Sequence, residues 1–161
     1  MSIRLLKFLT PVLQPVYRKY FSRTRPYRYK NIHVLVRPGV FFPGFIFSSK
    51  LFLQYIEQLN LSGKTLLELG AGSGIISVFA ASKGAIVTAS DINPMAIRNI
   101  RENAVMNNVQ VTVIESDLFE SIRQSAFDFI IIAPPYYPKD PLDYAEMAWF
   151  CGSNFEYFER L

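Results

Sequence analysis

A chain of 161 residues with a net charge of +4 and half its residues hydrophobic suits one domain with a real core, and no apolar run approaches the length of a transmembrane helix. A single cysteine, Cys151, excludes an internal disulfide, and with only one histidine, His33, no protein-bound metal is expected. The lone thiol fits a reducing, cytoplasmic compartment.

The charge is unevenly placed. Residues 1–56 hold ten of the seventeen Lys and Arg residues and no acid, while all thirteen acids fall in residues 57–161. Tyr17, Tyr20, Phe21, Tyr27 and Tyr29 lie among Arg18, Lys19, Arg23, Arg25, Arg28 and Lys30. Bases mixed with aromatics can track a phosphate backbone and stack on nucleobases. They can equally sit on an anionic membrane surface with Leu5, Leu6, Leu9 and Leu13 buried, or pack on the domain with their charges wet. The opening MSIRLLKFLTPVLQP is interrupted by Pro11 and Pro15 and precedes no small-residue cleavage site, which argues against a signal peptide. As far as Pro43 the pattern is irregular, and Pro11, Pro15, Pro26, Pro38 and Pro43 limit any long helix. Residues 1–45 therefore read as a basic N-terminal extension and residues 46–161 as the main domain.

From Ser48 the pattern changes. Ser49 is a candidate cap for a helix with Leu51, Phe52, Tyr55, Ile56 and Leu59 at helical spacing. Strand and helix then alternate. Thr65–Leu69 predicts a buried strand, and Ile75–Lys83 a helix stopped by Gly84. Ile86–Ser90 predicts the next strand, and Asn93-Pro94 opens a helix running to about Asn107. Val109–Glu115 and Phe127–Ile132 are two more strands, separated by a helical stretch near Glu120–Gln124. Apolar strands alternating with helices imply an α/β fold, a Rossmann-like parallel sheet with helices on both faces. Right-handed crossovers bring all strand C-termini to one edge, where ligands bind. Ser153 and Glu156 have capping-box spacing ahead of Phe155, Phe158 and Leu161, opening a helix that the chain ends after little more than two turns.

The chemistry-bearing residues fall on that edge. Gly70-Ala71-Gly72-Ser73-Gly74, after a strand and before a helix, lets the backbone turn tightly and approach a ligand closely. Dinucleotide enzymes use such a turn too, but their fingerprint wants a small residue where Ile75 stands. Glu68, near the strand end, would repel a pyrophosphate; it can also be a buried, hydrogen-bonded structural acid. Asp91 follows Gly70 by about twenty residues, where a carboxylate can accept two ribose hydroxyls; alternatively it caps the helix beginning near Asn93. Asp117 closes the third strand, followed by Leu118. Ala133-Pro134-Pro135-Tyr136 closes the fourth, either as a rigid turn or as part of a site.

Together these residues resemble the class I S-adenosylmethionine (SAM)-dependent methyltransferases. Ala133-Pro134-Pro135-Tyr136 is similar to the Asn/Asp-Pro-Pro-Tyr signature of members that methylate planar amines. The lead-in Pro38-Gly39-Val40-Phe41-Phe42-Pro43 with Ser48-Ser49 resembles that of the small-methyltransferase group, which acts on ribosomal RNA guanine, transfer RNA adenine and release-factor glutamine. The resemblance implies SAM as cofactor. The turn of Gly70, Ala71, Gly72 and Gly74 would face the methionine carboxylate, and Glu68 the cofactor's cationic groups. Asp91 would meet the ribose and Ile92 the adenine ring. Asp117 would accept from the adenine amine while the Leu118 N–H reaches a ring nitrogen. In the family, the first residue of the signature and a proline carbonyl accept the amine hydrogens while the aromatic ring stacks on the substrate; here Ala133 has no acceptor. The resemblance also implies three further strands, so the chain reads as C-terminally truncated, with Phe127–Ile132 at an exposed edge prone to self-association. The implied function is N-methylation of an amide or nucleobase amine in protein or RNA. The competing readings are a SAM-binding module without catalysis and, disfavoured by Ile75 and Glu68, a nicotinamide-dependent oxidoreductase.

Overall fold

The apolar strands assemble into the expected layered sheet. A computed structural model describes residues 20–45, 47–123 and 126–161. Strands β1 (Arg25–Tyr29) and β2 (Ile32–Val36) form a hairpin, and a short 3-10 turn over Pro43–Phe45 leads into helix α1 (Phe47–Gln58). Then follow β3 (Thr65–Leu69), α2 (Ile75–Ser82), β4 (Ile86–Asp91), α3 (Pro94–Met106), β5 (Val111–Glu115) and β6 (Phe129–Ile132), and finally two short helices, α4 (Tyr144–Met147) and α5 (Glu156–Arg160).

The main sheet is wholly parallel, in the order β5-β4-β3-β6. β3 is central, and Leu66 to Leu69 along it are buried. The chain steps outward from β3 through β4 to β5, then crosses back to place β6 on β3's other side. Strand order reverses there, which is where an open α/β sheet leaves a crevice beyond its strand ends. The register aligns those ends: Leu69 pairs with Ser90 and with Ile132, and Asp91 with Glu115. Gly70, Ile92, Ser116 and Ala133 consequently begin their loops side by side. Leu53, Ile56, Leu66 and Val78 are among the fully buried side chains of the core beneath them.

Several local expectations need correction. The irregular N-terminal pattern concealed the hairpin, in which Tyr27 and Tyr29 turn toward the core while Pro26 and Arg28 face out. β1 pairs only with β2, so Pro26, which lacks an N–H, leaves no ladder partner unmet. On its other side β2 bonds to side chains of α3. The Asn99, Asn103 and Asn107 side-chain oxygens accept from the backbone N–H groups of Arg37, Leu35 and His33 at 3.0, 2.9 and 3.0 Å. Their amides donate back to Leu35 and His33 carbonyls. Four helical residues rise about 6 Å and two strand residues about 6.6 Å, so asparagine at every fourth helical position keeps step with alternate strand residues.

Helix α1 starts at Phe47, so Ser49 lies inside it rather than capping it. Leu118 to Ser121 form a turn rather than helix, and Gln124 lies outside the described residues. The Ser153–Glu156 capping box does not form. Both Ser153 donors, its N–H and its hydroxyl, go to Asp140, and Glu156 accepts instead from Asn154. α4 was not expected; Asp143 caps it by accepting the Glu146 N–H at 2.9 Å.

Candidate active site

The strand C-termini border a cleft of about 520 Å³. The glycine turn forms its floor. Gly70, Gly72 and Gly74 have φ of 69°, 54° and 75°, backbone conformations that side chains strain to adopt. A Cβ on Gly70 or Gly72 would have no atom within 4 Å, whereas on Gly74 it would lie 3.1 Å from Ile100. The first two glycines leave room for a ligand, and the third lets α2 approach α3. Ala71 closes the turn, donating its N–H to Ser90 O and accepting from Gly74 N–H.

The three acids closing β3, β4 and β5 all line the cleft, but their environments differ. Glu68 is buried, and its Oε2 accepts from both the N–H and the hydroxyl of Ser77 in the first turn of α2. Burial pushes its carboxyl up to about 8, only partly offset by the Ser77 bonds, so it is mostly protonated at neutral pH. Asp91 supports the turn from the neighbouring strand: its Oδ2 accepts the Gly72 N–H at 2.8 Å and its Oδ1 the Asn93 N–H at 2.9 Å. Burial raises its pKa against the lowering effect of these bonds. Asp91 does not cap α3; Asn93 does, accepting from Met95 N–H. Asp117 is more exposed and accepts from Arg160 Nη2 at 2.6 Å. Leu118 has φ 48°, a conformation costing about 1–2 kcal/mol in an L-residue. Ser116 holds it there: its hydroxyl donates to Leu118 O at 2.9 Å and accepts the Ser121 N–H at 3.0 Å.

The fourth wall begins at Ala133-Pro134-Pro135-Tyr136. Pro135 is buried, and Tyr136 is 55% exposed at the rim. Tyr137 then donates its N–H to Trp149 O and accepts from Cys151 N–H, closing a loop over residues 137–151. Inside that loop the buried Glu146 accepts from Lys139 Nζ and Leu142 N–H. Trp149 packs edge-on against Phe41 with ring centroids 5.0 Å apart, so the Val40–Pro43 lead-in joins the same rim.

The sequence-predicted site residues, from Glu68 to Tyr136, therefore surround one cleft, except Gly74, which faces Ile100 rather than the cleft. Sequence reasoning missed Ser77, Ser116, Asn103, Tyr157 and Arg160. Of these only Asn103 left a trace, in its four-residue spacing from Asn99 and Asn107. Among the described residues that line the cleft Arg160 is the one cation, against Glu68, Asp91, Asp117, Asp140 and Glu156.

A parallel α/β sheet with its cleft at the strand ends and acids closing successive strands places the chain in the Rossmann-like methyltransferase class. The T. thermophilus 16S rRNA N2 methyltransferase, solved with AdoMet and guanosine, matches 78% of this chain and 37% of its own, with TM-score 0.60 and 26% identity. Residues 31–149 match the methyltransferase small domain, and the chain belongs to that family. A Methanocaldococcus jannaschii protein assigned as a protein N5-glutamine methyltransferase is 44% identical over 81 residues, covering 50% of this chain and 41% of the relative. The ribosomal protein L11 methyltransferase of Thermosipho africanus is 34% identical over 103 residues, covering 63% and 39%. The chain thus spans about two fifths of the length of these two relatives.

Proposed function

We propose that this chain carries the cofactor-binding edge of a SAM-dependent N-methyltransferase acting on a planar amide or nucleobase amine in protein or RNA. One observation carries the reading: the glycine turn, the acids closing β3, β4 and β5, and the Pro-Pro-Tyr corner closing β6 line one cleft. The residues present fit the cofactor. Gly70 and Gly72 leave a cradle open to a ligand, and walls dominated by acids suit a molecule with an ammonium and a sulfonium better than a pyrophosphate. Backbone N–H groups at the start of α2 would meet its carboxylate, and Glu68 its ammonium. Asp91 keeps lone pairs for the ribose hydroxyls beyond those given to Gly72 and Asn93. Ile92, Asp117 and Leu118 would take the adenine. SAM would supply an electrophilic methyl group on its sulfonium.

The chain's own contribution to transfer is orientation, which carries much of such a displacement. The Pro134 carbonyl would accept one hydrogen of the substrate amine, the buried Pro135 would fix the corner, and Tyr136 would stack on the substrate plane. The relatives are named for protein substrates and the structural neighbour for an RNA, which supports a macromolecular acceptor. An RNA acceptor would find Arg23, Arg28 and Lys50 on the N-terminal half. Lys30 and Arg37 there are already paired with Glu57 and Glu102. Among the described residues no helix is long and apolar enough to cross a membrane, and we place the reaction in the cytoplasm.

Ala133 favours a second reading, a SAM-binding module with impaired catalysis, because its methyl group cannot accept from an amine. Calorimetric SAM titration and single-turnover methyl transfer to ribosomes and soluble protein from cell extract, with Ala133→Asn alongside, separate the two. On the enzyme reading both forms bind SAM equally and the asparagine raises transfer roughly a hundredfold or more. Equal rates on a shared substrate would refute the role of position 133. SAM binding with no transfer by either form would establish the module, and no SAM binding would end both readings.

A further inference from the structure

The adenosine end of the cleft is closed by α5, whose Tyr157 and Arg160 no motif announced. Arg160 Nη2 donates to Asp117 Oδ2 at 2.6 Å and to Glu120 Oε1 at 3.1 Å. Both acceptors belong to the turn after β5, so one guanidinium clamps the loop that carries Asp117. The clamp uses one oxygen of Asp117 and leaves Oδ1 with no protein partner among the described residues, on a side chain that lines the cleft.

One helical turn earlier, on the same face of α5, stands Tyr157. It is half-buried, and burial, followed by the nearby charges of Asp91 and Asp117, pushes its phenol up to about 12. A helix of five residues has no stability of its own. α5 is fixed instead by the Arg160 clamp and by the Tyr157 N–H, which donates to Cys151 O at 3.0 Å. It thus brings a phenol near Asp91 and Asp117 and a guanidinium onto Asp117 and Glu120.

We propose that Arg160 is a positioning residue for cofactor recognition: by holding Asp117 Oδ2 it fixes the carboxylate so that Oδ1 receives the adenine amine, with α5 as the wall behind it. An unclamped carboxylate on an exposed turn would rotate freely and would have to be ordered by the cofactor itself. The clamp removes that cost and offsets the repulsion between Asp117 and Glu120. This inference rests on the reading of Asp117 as the adenine acceptor.

The test compares S-adenosylhomocysteine with its purine-riboside analogue, in which hydrogen replaces the amine and the ring nitrogens stay acceptors, by calorimetry on the full chain. A hydrogen bond to a charged acceptor should favour the adenosyl form by roughly tenfold to a hundredfold. Arg160→Ala should lose most of that preference by weakening the adenosyl ligand and leaving the amine-free ligand nearly unchanged. Arg160→Lys, which keeps the charge on a shorter side chain, should recover part of it, and Arg160→Ala should add nothing to Asp117→Ala. Arg160 is half-exposed near the chain end, and matching circular dichroism spectra would show that the fold is kept. Equal weakening of both ligands by Arg160→Ala would reduce Arg160 to packing, and tighter adenosyl binding would make it a competitor for Asp117. Either result overturns the proposal. An unchanged preference in Asp117→Ala would overturn the adenine assignment of Asp117 itself, a failure distinct from that of Arg160.

Discussion

Asn103 ties the N-terminal hairpin to the glycine turn, and its replacement tests whether that tie supports the site. Its side chain is buried and fully used: Oδ1 accepts Leu35 N–H at 2.9 Å, and Nδ2 donates to Leu35 O at 2.9 Å and Ser73 O at 2.8 Å. Asn103→Leu keeps the shape and removes all three bonds. Leu35 O retains the Asn99 amide at 2.6 Å, so two groups are stranded, Leu35 N–H and Ser73 O. Each unsatisfied buried group costs about 1–3 kcal/mol, so the variant should lose about 2–6 kcal/mol. That is a large share of the roughly 5–15 kcal/mol a small domain has. Asn107→Leu makes the same chemical change where water can replace the lost partners, and should cost under about 1 kcal/mol. Urea unfolding followed by circular dichroism measures both, with an unchanged m-value confirming that stability alone has moved. Because Ser73 belongs to the turn beneath the ligand, Asn103→Leu should also weaken SAM binding under native conditions. Equal costs at 103 and 107, or a loss below 1 kcal/mol at 103, would show that the hairpin is held by its apolar contacts and that the asparagines are incidental.

Asp91→Ala removes the proposed ribose acceptor and strands Gly72 N–H in the same step; SAM affinity should fall roughly tenfold to a few hundredfold, and unchanged affinity in a folded variant would remove Asp91 from the ribose site. Glu68 predicts a pH dependence. Its folded pKa, about 8, lies above the ordinary value of 4.5, so its contribution is fully present below pH 4.5 and is lost as pH rises through 8. Thermal midpoints of the parent should drift downward across that window, and Glu68→Gln, which still accepts from Ser77, should flatten the drift; parallel curves would refute it. SAM binding near pH 7 should release a proton as the cofactor's ammonium favours the ionised Glu68, seen as a buffer-dependent calorimetric enthalpy.

The β3-to-α3 stretch was legible because each of its signals is local. Leu66 to Leu69 form an unbroken buried run, Gly84 stops α2, and Asn93-Pro94 starts α3. Each boundary depends on residues within a few positions. The hairpin was not legible, since Arg25-Pro26-Tyr27-Arg28-Tyr29 has no continuous apolar face and carries a proline. What makes it a strand is β2, and what anchors β2 is a set of asparagines more than sixty residues later. The capping box at Ser153 failed for a related reason: Asp140, in a separate loop, takes both Ser153 donors, and Glu156 accepts from Asn154 instead. α4 spans barely a turn and exists through tertiary contacts, which no periodicity can report, whereas α5 falls where Phe155, Phe158 and Leu161 suggest a helix and forms over only five residues.

The site divides along the same line. That Glu68, Asp91 and Asp117 share an edge follows from chain order, because each ends a strand of one parallel sheet. Their chemical states do not follow from order, since each is set by a partner on another element. Ser77 at the start of α2 lets Glu68 be buried, and burial keeps it mostly protonated. Gly72 and Asn93 bind Asp91 from two loops, holding its carboxylate where the ribose would lie. Arg160, forty-three residues downstream, faces Asp117. Three acids of the same type thus become a mostly neutral group, an anchored carboxylate and an ion-paired one. That gradient matters more for binding a cationic cofactor than their number. Three full charges around one small cleft would repel each other in the empty protein, whereas here Arg160 pairs with Asp117 and Glu68 can gain charge when a cation arrives.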